Sequence, residues 1–528
     1  MSLARWWPLA ALVVIVGVPL LVRPEQAESS GGRRQLVILS PHNEQIRSEL
    51  GRAFSRWHEA RHGEAVEVAW STPGGTSEIR RMLTAAAESS LRDGRPLGGS
   101  ADLLFGGGSY EFGQLARPIE VEVGGERRRA SILAPIEFAP EFLAEVYGEN
   151  RIGDDPLFDP DGRWFGVALS GFGIVSNLDV LARLGVPEPR EWADLCDRRL
   201  FGWVVLANPA QSGSVATAME AILQRRGWAE GWAILRRMAA NSRSIVSSAP
   251  KAPIDVAAGD AAAGLCIDFY GRFQAQSLRD AARALGDPAL DRLAYVDPLG
   301  QTVIDPDPIA MLTGAPDPAL ARRFVEFVLS VEGQALWQFA AGEVGDPAAG
   351  IPPGPERFEL RRMPVRREFY ERFADRMIDD ARPFQIASSV PSPDRAMRSF
   401  IAPIFSAAAI DHGPLLREAW RAIIEHPAFP KDRPLVRPED VDDPRLRRML
   451  EAFDGMPEVE APEGAVTSLA NPDARARVRE GWLRGGWRDA GLWPTEAFPA
   501  AEFRRRAASF FEAQYRRVLE IAAEGDRA

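Results

Sequence analysis

His58-Glu59-Ala60-Arg61-His62 is the one stretch of this chain that spells a catalytic signature. In HExxH the two histidines sit four residues apart on one helix face, where both can bind zinc while the glutamate takes a proton from metal-bound water. Here the motif closes a helix that begins near Glu44, and Gly63 stops that helix at once. His62 is then more simply a helix-end residue, and no later acidic or histidine motif identifies a third ligand. Zinc hydrolysis stays as an alternative. Other catalytic chemistry has less support: there is no GxSxG, and the histidines at 42, 58, 62, 412 and 426 follow no triad signature. Cys196 and Cys266 are too few for a four-thiolate zinc cage and too far apart for CxxC, which leaves one disulfide or two buried thiols. GGGSY at 106–110 is not GxGxxG, and GxxxxGK[ST] does not occur, so nucleotide binding is unsupported. The expectation is a protein that is not an enzyme, with no cofactor and no metal.

Binding chemistry is better represented. Three segments with strand character end in small polar loops, Ser40–Glu44, Gly74–Ser77 and Gly107–Tyr110, and each loop opens a helical pattern. Asn208–Ser214, NPAQSGS, repeats the arrangement in a second array. In open α/β sheets ligands bind outside the carboxyl ends of the strands, where unpaired helix-start amides favour anions. The candidate ligand-binding residues are therefore Ser40, His42, Thr76, Ser77, Ser109 and Tyr110 from the first array and Ser212, Gly213, Ser214 and Tyr270 from the second. Asp268, at the end of CIDFYG, and Asp305, in a later segment, join them as groups that could meet a hydroxyl, an amine or a metal; aspartates before Pro and Gly also cap turns.

The elements that must carry these loops alternate. QLVILS, AVEVAW and ADLLFGG read as strands, and between the first two Ile46, Leu50, Phe54 and Trp57 recur at spacings of three and four on one helix face. TSEIRRML begins the next helix. The segment 164–177, WFGVALSGFGIVSN, is apolar and glycine-punctuated and reads as a crossing between lobes. Beyond it come the strand WVVLANP, the helix VATAMEAILQRRG and the strand AGLCIDFYG. Alternation of this kind predicts α/β lobes with helices on both sheet faces. Lobe 1 is expected over 35–165, with 300–340 returning to it, and lobe 2 over 166–299. A helical segment, 341–430, completes the lobes, and 431–528 is a helical carboxyl extension.

Length and charge narrow the partners. The 528 residues exceed one compact domain, and a net charge of −11, from 74 acidic and 63 basic residues, gives a nucleic-acid partner no electrostatic footing. At the amino terminus, Arg5 precedes an apolar run from Trp6 to Val22. That order predicts a signal peptide or an uncleaved membrane anchor over 1–27 and a periplasmic or other extracytoplasmic location.

PHNE at 41–44, GGTSE at 74–78, the crossing FGVALSGFGIVSN, NPAQSGS, and DPDPIAMLTGAP followed by FVEFVLSVEGQALW together resemble the extracellular solute-binding proteins of ABC importers, in particular the iron(III)- and polyamine-type branch. The resemblance covers roughly 35–339. It implies a type II, two-lobed periplasmic-binding-protein-like fold that closes on its ligand by a hinge motion and performs no chemistry. It also implies a small-molecule solute, polar or anionic, an ABC transporter permease as partner, and a monomer. Asn208 stands where the family more often has Asp. Ferric members use an adjacent tyrosine pair, which is missing among the six tyrosines here. A membrane-tethered ligand sensor or accessory protein is the alternative that keeps the fold.

Overall fold

The computed structural model describes residues 34–387, 393–394, 396–493 and 499–524. The amino-terminal run expected to be a signal or anchor lies outside the described residues. Among those described, no single helix is long and apolar enough to cross a membrane.

In the first lobe β1 (Arg34–Leu39), α1 (Glu44–His62), β2 (Val66–Ser71), α2 (Thr76–Arg92), β3 (Leu103–Phe105) and α3 (Ser109–Leu115) alternate as expected. A hairpin of β4 (Ile119–Val123) and β5 (Glu126–Ala130), then β6 (Leu133–Ala134) and α4 (Pro140–Tyr147), lead to β7 (Phe165–Ser170). The second lobe holds β8 (Phe172–Asn177), α5 (Leu178–Leu184), β9 (Val204–Ala207), α6 (Gly213–Ala240), β10 (Ser242–Val246), α7 (Lys251–Ala258), β11 (Ala263–Ile267), α8 (Asp268–Leu285) and β12 (Leu293–Val296). The chain returns through β13 (Asp305–Leu312), then α9 (Pro318–Leu329), α10 (Val331–Gln338) and β14 (Met363–Pro364).

The first sheet runs β14-β7-β13-β3-β1-β2, with β6 also on β13, and the second runs β10-β9-β11-β8-β12. Strands β1, β2 and β3 are parallel, and the returning β13 inserts antiparallel between β3 and β7. In the second sheet β9 is parallel to β10 and β11, and β8 is antiparallel to β11 and β12. This is the two-lobed, type II arrangement that the resemblance implies. The lobes meet at two crossings. Gly171 alone separates β7 of one sheet from β8 of the other, and 297–304 carry the chain back. Both strands at the first crossing are buried at every position, which explains their near-continuous apolar sequence.

Local chemistry sets the helix ends. Asn43 caps α1 by accepting from the Ile46 amide at 3.1 Å, and Gly63 ends it in the left-handed region at φ 69°. The expected core face of Ile46, Leu50, Phe54 and Trp57 is buried. Gly227, at φ 77°, bends α6 where the sequence pattern has it stop, yet the helix continues to Ala240. Its second half is buried almost throughout, so packing outweighs the glycine.

The carboxyl part is mostly helical: α11 (Arg398–Phe405), α12 (Gly413–Ile424), α13 (Pro444–Asp454) and α14 (Pro499–Ala523) are its main elements. Two features depart from a free-standing helical add-on. β14 lies within 341–430 and extends the first sheet, pairing Met363 with Leu169. The helices beyond it share one hydrophobic core with α6. Arg237 of α6, fully buried, donates to Asp454 at 2.6 Å and to the Val436 carbonyl at 2.6 Å, which anchors the extension on the second lobe.

Candidate functional site

The first-lobe wall of the site starts with His42, in the loop after β1. Its amide donates to Ser40 Oγ at 3.1 Å, and its ring stands edge-on to Phe105 with centroids 4.7 Å apart. A close approach makes glycine necessary behind it. A Cβ on Gly106 would lie 2.8 Å from the His42 ring, and one on Gly107 would lie 2.4 Å from the Thr76 methyl. The first two glycines after β3 thus let the His42 and Thr76 side chains pack against bare backbone. At the start of α2, Glu78 turns back to accept from the Gly75 amide at 3.0 Å.

The floor is a buried ionic network. His42 Nε2 lies 2.8 Å from Asp307 Oδ2, and Asp307 Oδ1 accepts from the Gly107 amide at 2.8 Å. Arg362 Nη1 donates to the same Asp307 oxygen, and its Nη2 donates to Ser170 Oγ at 2.7 Å. The Arg362 guanidinium lies 4.4 Å over the Phe269 ring. Arg362 Nη1, which can only donate, also lies 2.9 Å from His42 Nε2, so that nitrogen faces both an acceptor and a donor; Nδ1 is buried with no partner among the described residues. Burial, reinforced by Arg362, holds His42 below its ordinary pKa against the pull of Asp307. Burial alone would raise Asp307, but Arg362 and His42 outweigh it and hold the carboxylate below the usual range.

The second lobe supplies the opposite wall from three strand ends. Asn208 makes its turn by accepting from the Ala210 amide at 2.9 Å, so amide oxygen serves where the related pattern has a carboxylate. Ser212 caps α6 through the Val215 amide at 3.3 Å. Ser247 and Ser248 precede α7, and Phe269-Tyr270 open α8 with ring centroids 4.0 Å apart. Burial pushes the Tyr270 hydroxyl up to about 12.

Between these walls lies a cavity of about 420 Å3, within the range of small-molecule sites. His42, Thr76, Ser212, Ser214 and Tyr270 line it, as do Ser247, Ser248, Asp307 and Arg362. Its two sides are close: a Cβ on Gly75 would meet the Gln211 carbonyl oxygen at 2.6 Å, and Arg81 donates to the Ala210 carbonyl at 3.1 Å.

The remaining candidates from the sequence fall elsewhere. Ser109, Tyr110 and Asp305 line a neighbouring cavity of about 620 Å3, bordered by Trp164, Thr217 and Arg398. Asp305 accepts from the Ser109 amide at 3.2 Å, and burial, with Asp155 nearby, raises it to about 7. Ser40 sits beneath His42. Ser77 donates to Glu111 at 2.9 Å, and the Gly213 carbonyl accepts from Arg398 at 2.8 Å. Asp268 faces neither cavity: it accepts from the Phe269 amide at 2.8 Å, and burial raises it to about 6.

Reading the sequence missed Asp307, Arg362, Ser247 and Ser248. Asp307 was within reach, two residues after Asp305 on the same face of a strand. Arg362 carried no signal, since it is one of many arginines and its partners lie 55 to 320 residues away.

The HEARH segment is a helix end. His58 is buried, its Nδ1 donates to the Glu64 carbonyl at 2.9 Å, and its Nε2 accepts from Arg323 at 3.0 Å. Both ring nitrogens are engaged. Among the described residues no group of three or more His, Cys, Asp or Glu side chains is placed to hold a metal. Cys196 and Cys266 are both buried free thiols.

Residues 132–352 match the family model described as bacterial extracellular solute-binding protein, in agreement with the resemblance read from the sequence. The phosphoglycerate transport regulatory protein PgtC of Salmonella typhimurium is 29% identical over 170 residues, 32% of this chain and 39% of that protein. An uncharacterized protein of Haemophilus influenzae is 30% identical over 171 residues, 32% of this chain and 45% of that protein. The chain thus spans less than half the length of the curated relatives it matches. Among solved structures, the periplasmic binding protein AfuA from Actinobacillus pleuropneumoniae with exogenous fructose-6-phosphate bound aligns with a TM-score of 0.44 and 19% identity, covering 58% of this chain and 82% of that one. Iron-bound HitA from Pseudomonas aeruginosa aligns with a TM-score of 0.43 and 20% identity, covering 61% and 92%.

Proposed function

We propose, from the extracellular solute-binding domain that residues 132–352 carry, that this protein captures a small anionic solute in the 420 Å3 interlobe cavity and delivers it to an ABC importer permease. The observation that carries the reading is the composition of that cavity. Five hydroxyls, from Thr76, Ser212, Ser214, Ser247 and Ser248, converge on it from both lobes. The amino-terminal ends of α2, α6 and α7 abut it, and helix starts favour negative charge. The acids present are already committed: Glu78 to the Gly75 amide, Asp307 to His42 and Arg362. What the solute meets is an excess of donors over acceptors, which suits a phosphate, phosphonate, carboxylate or sugar phosphate.

Capture needs no bond-making. The solute bridges donors on both lobes only when they are closed, so its binding energy shifts the population toward the closed form. His42, Thr76, Ser212, Ser214 and Tyr270 are the direct contacts in this reading, with Arg362 supplying a buried cation below. Ser40 and Gly213 hold neighbours in place. The protein acts as a monomer, outside the cytoplasm.

A thermal-shift screen tests this. The purified protein from Gln35 onward is heated with inorganic phosphate, phosphoglycerates, sugar phosphates, phosphonates, carboxylates, neutral sugars, polyamines and metal ions. A solute at a hundredfold excess over its dissociation constant stabilises the folded state by about 2.7 kcal/mol. A shift among the small anions, abolished in the double variant Thr76→Ala, Ser212→Ala, is the expected result. A response confined to polyamines or metal ions refutes the anion reading.

The second reading, a sensor that presents the liganded state to a signalling partner, draws on the helical extension fused to the second lobe. Silence of the whole anion panel, with a partner captured by the extension, favours it.

A further inference from the structure

Behind the cavity, the two helix starts that flank it from opposite lobes are joined through buried charge. Glu111, on α3 of the first lobe, has its side chain 3% exposed. It accepts from Ser77 Oγ at 2.9 Å and from Arg80 Nε, both at the beginning of α2. Arg398, at the start of α11 in the carboxyl part, is 4% exposed. It donates to the Gly213 carbonyl and to Thr217 Oγ1, each at 2.8 Å, at the beginning of α6, and it pairs with Glu220 at 3.3 Å. Across the interlobe gap its guanidinium lies 4.6 Å from the Tyr110 ring centroid and 3.8 Å from Glu111 Oε1.

We infer that Glu111 and Arg398 form a latch between the lobes, made on closing and parted on opening, through which α11 positions the two helix starts against the solute. The inference rests on the proposed closure of the lobes around the cavity. Its physical basis is that each group is satisfied within its own lobe. On opening, Glu111 keeps Ser77 and Arg80, and Arg398 keeps Gly213, Thr217 and Glu220. Neither is orphaned, so parting them carries no unpaired buried charge. What is lost is the attraction between the two charges and the stacking on Tyr110, and both exist only in the closed form. A differential interaction of this kind is what shifts a two-state equilibrium. Arg398 moves with the second lobe, because Gln224 of α6 exchanges hydrogen bonds with Asp394 just ahead of it and Trp228 packs on Phe400. The matched family region ends at residue 352, so one half of this latch is supplied by the part of the chain beyond it.

The test is a double-mutant cycle on closure. Dyes on Arg95→Cys and Asp280→Cys, exposed positions on opposite lobes, report the interlobe distance by energy transfer in the absence of solute. Glu111→Gln and Arg398→Met each lower the closed fraction by about tenfold, and the double variant lowers it no further. Arg398→Lys, which retains a cation beside Glu111, recovers part of the closed fraction, which a merely structural role for Arg398 does not predict. With glycerol 3-phosphate as probe, the single variants release it about tenfold faster. Additive effects of the two substitutions, or an unchanged distance distribution in variants whose melting shows them folded, overturn the latch. The two proposals fail separately. If no anion binds, the solute reading falls while the solute-free cycle still decides the latch; if anions bind and the cycle shows no coupling, the latch falls alone.

Discussion

Replacing Gly75 with alanine is expected to wedge the two lobes apart while leaving each one intact. Gly75 has φ −73° and ψ 166°, a conformation any residue adopts, so the substitution strains no backbone. The obstacle is across the cleft: the added methyl would stand 2.6 Å from the Gln211 carbonyl oxygen, where ordinary contact begins near 3.4 Å. The obstructing atom belongs to backbone and cannot rotate away, so closure stops about 0.8 Å short at this point. Overpacking of that kind costs about 1–3 kcal/mol, and only in the closed state. A difference of that size lowers the closed population, and with it solute affinity, by about 5- to 150-fold. Two local effects oppose each other in the open state. Alanine restricts the unfolded chain, which stabilises by about 0.4–1 kcal/mol, whereas it is a poorer helix cap than glycine by a comparable amount. Tm should therefore barely move. Calorimetric titration with the tightest-binding anion of the screen, solution scattering and a melt of the same sample give all three quantities. Wild-type affinity and scattering in Gly75→Ala would falsify the closure geometry, and a large drop in Tm would show that the site is structural within one lobe.

Further outcomes follow from the buried charges. Arg362→Met strips Asp307 of its cation in a site where Asp307 is 2% exposed. The stability loss should be about 3–5 kcal/mol in denaturant melts, with His42, relieved of a neighbouring cation, titrating at higher pH by NMR than in the wild type. Asp305, raised to about 7 by burial, lies above its unfolded value of about 3.9. Its contribution is therefore fully present below pH 4 and lost as pH rises through 7. Asp305→Asn should match the wild type in Tm at pH 4 and exceed it at pH 8; the opposite ordering refutes the assignment. Burial pushes the Cys196 thiol up to about 12 and raises Cys266 further, so neither should react with a thiol reagent at pH 8 until the protein is denatured. Glu59→Ala, on the exposed side of the HEARH helix end, should change stability by no more than about 0.5 kcal/mol and leave solute binding untouched; loss of a hydrolytic activity in that variant would restore the zinc reading.

Much of the scaffold was legible because its cues are local. The three-and-four spacing of Ile46, Leu50, Phe54 and Trp57 specified a helix face, and Gly63 its end. The apolar, glycine-punctuated run at 164–177 marked a crossing, since strands buried on both sides have no reason to alternate. Loops rich in Gly, Ser and Thr after strands marked the cleft edge, and His42, Thr76, Ser212, Ser214 and Tyr270 do face one cavity. Locality also set the errors of emphasis. Asp268 ends a strand as Tyr270 does, yet its side chain turns back to the Phe269 amide; Ser109 and Tyr110 open a helix as Thr76 does, yet they line a different cavity.

What the sequence determined by itself is the alternation of strands and helices that builds the two α/β lobes, and the edge on which their loops gather. Hydrophobic period and turn chemistry act over a few residues and are written in consecutive letters. Only the tertiary structure decided which charges meet. Arg362 reaches His42 across 320 positions, Arg398 reaches Gly213 across 185, and the extension joins the second lobe through Arg237 and Asp454. An arginine looks the same in sequence whether it is solvated or buried. Its role depends on a partner brought near by packing and on the water that packing removes, and neither is encoded at its own position.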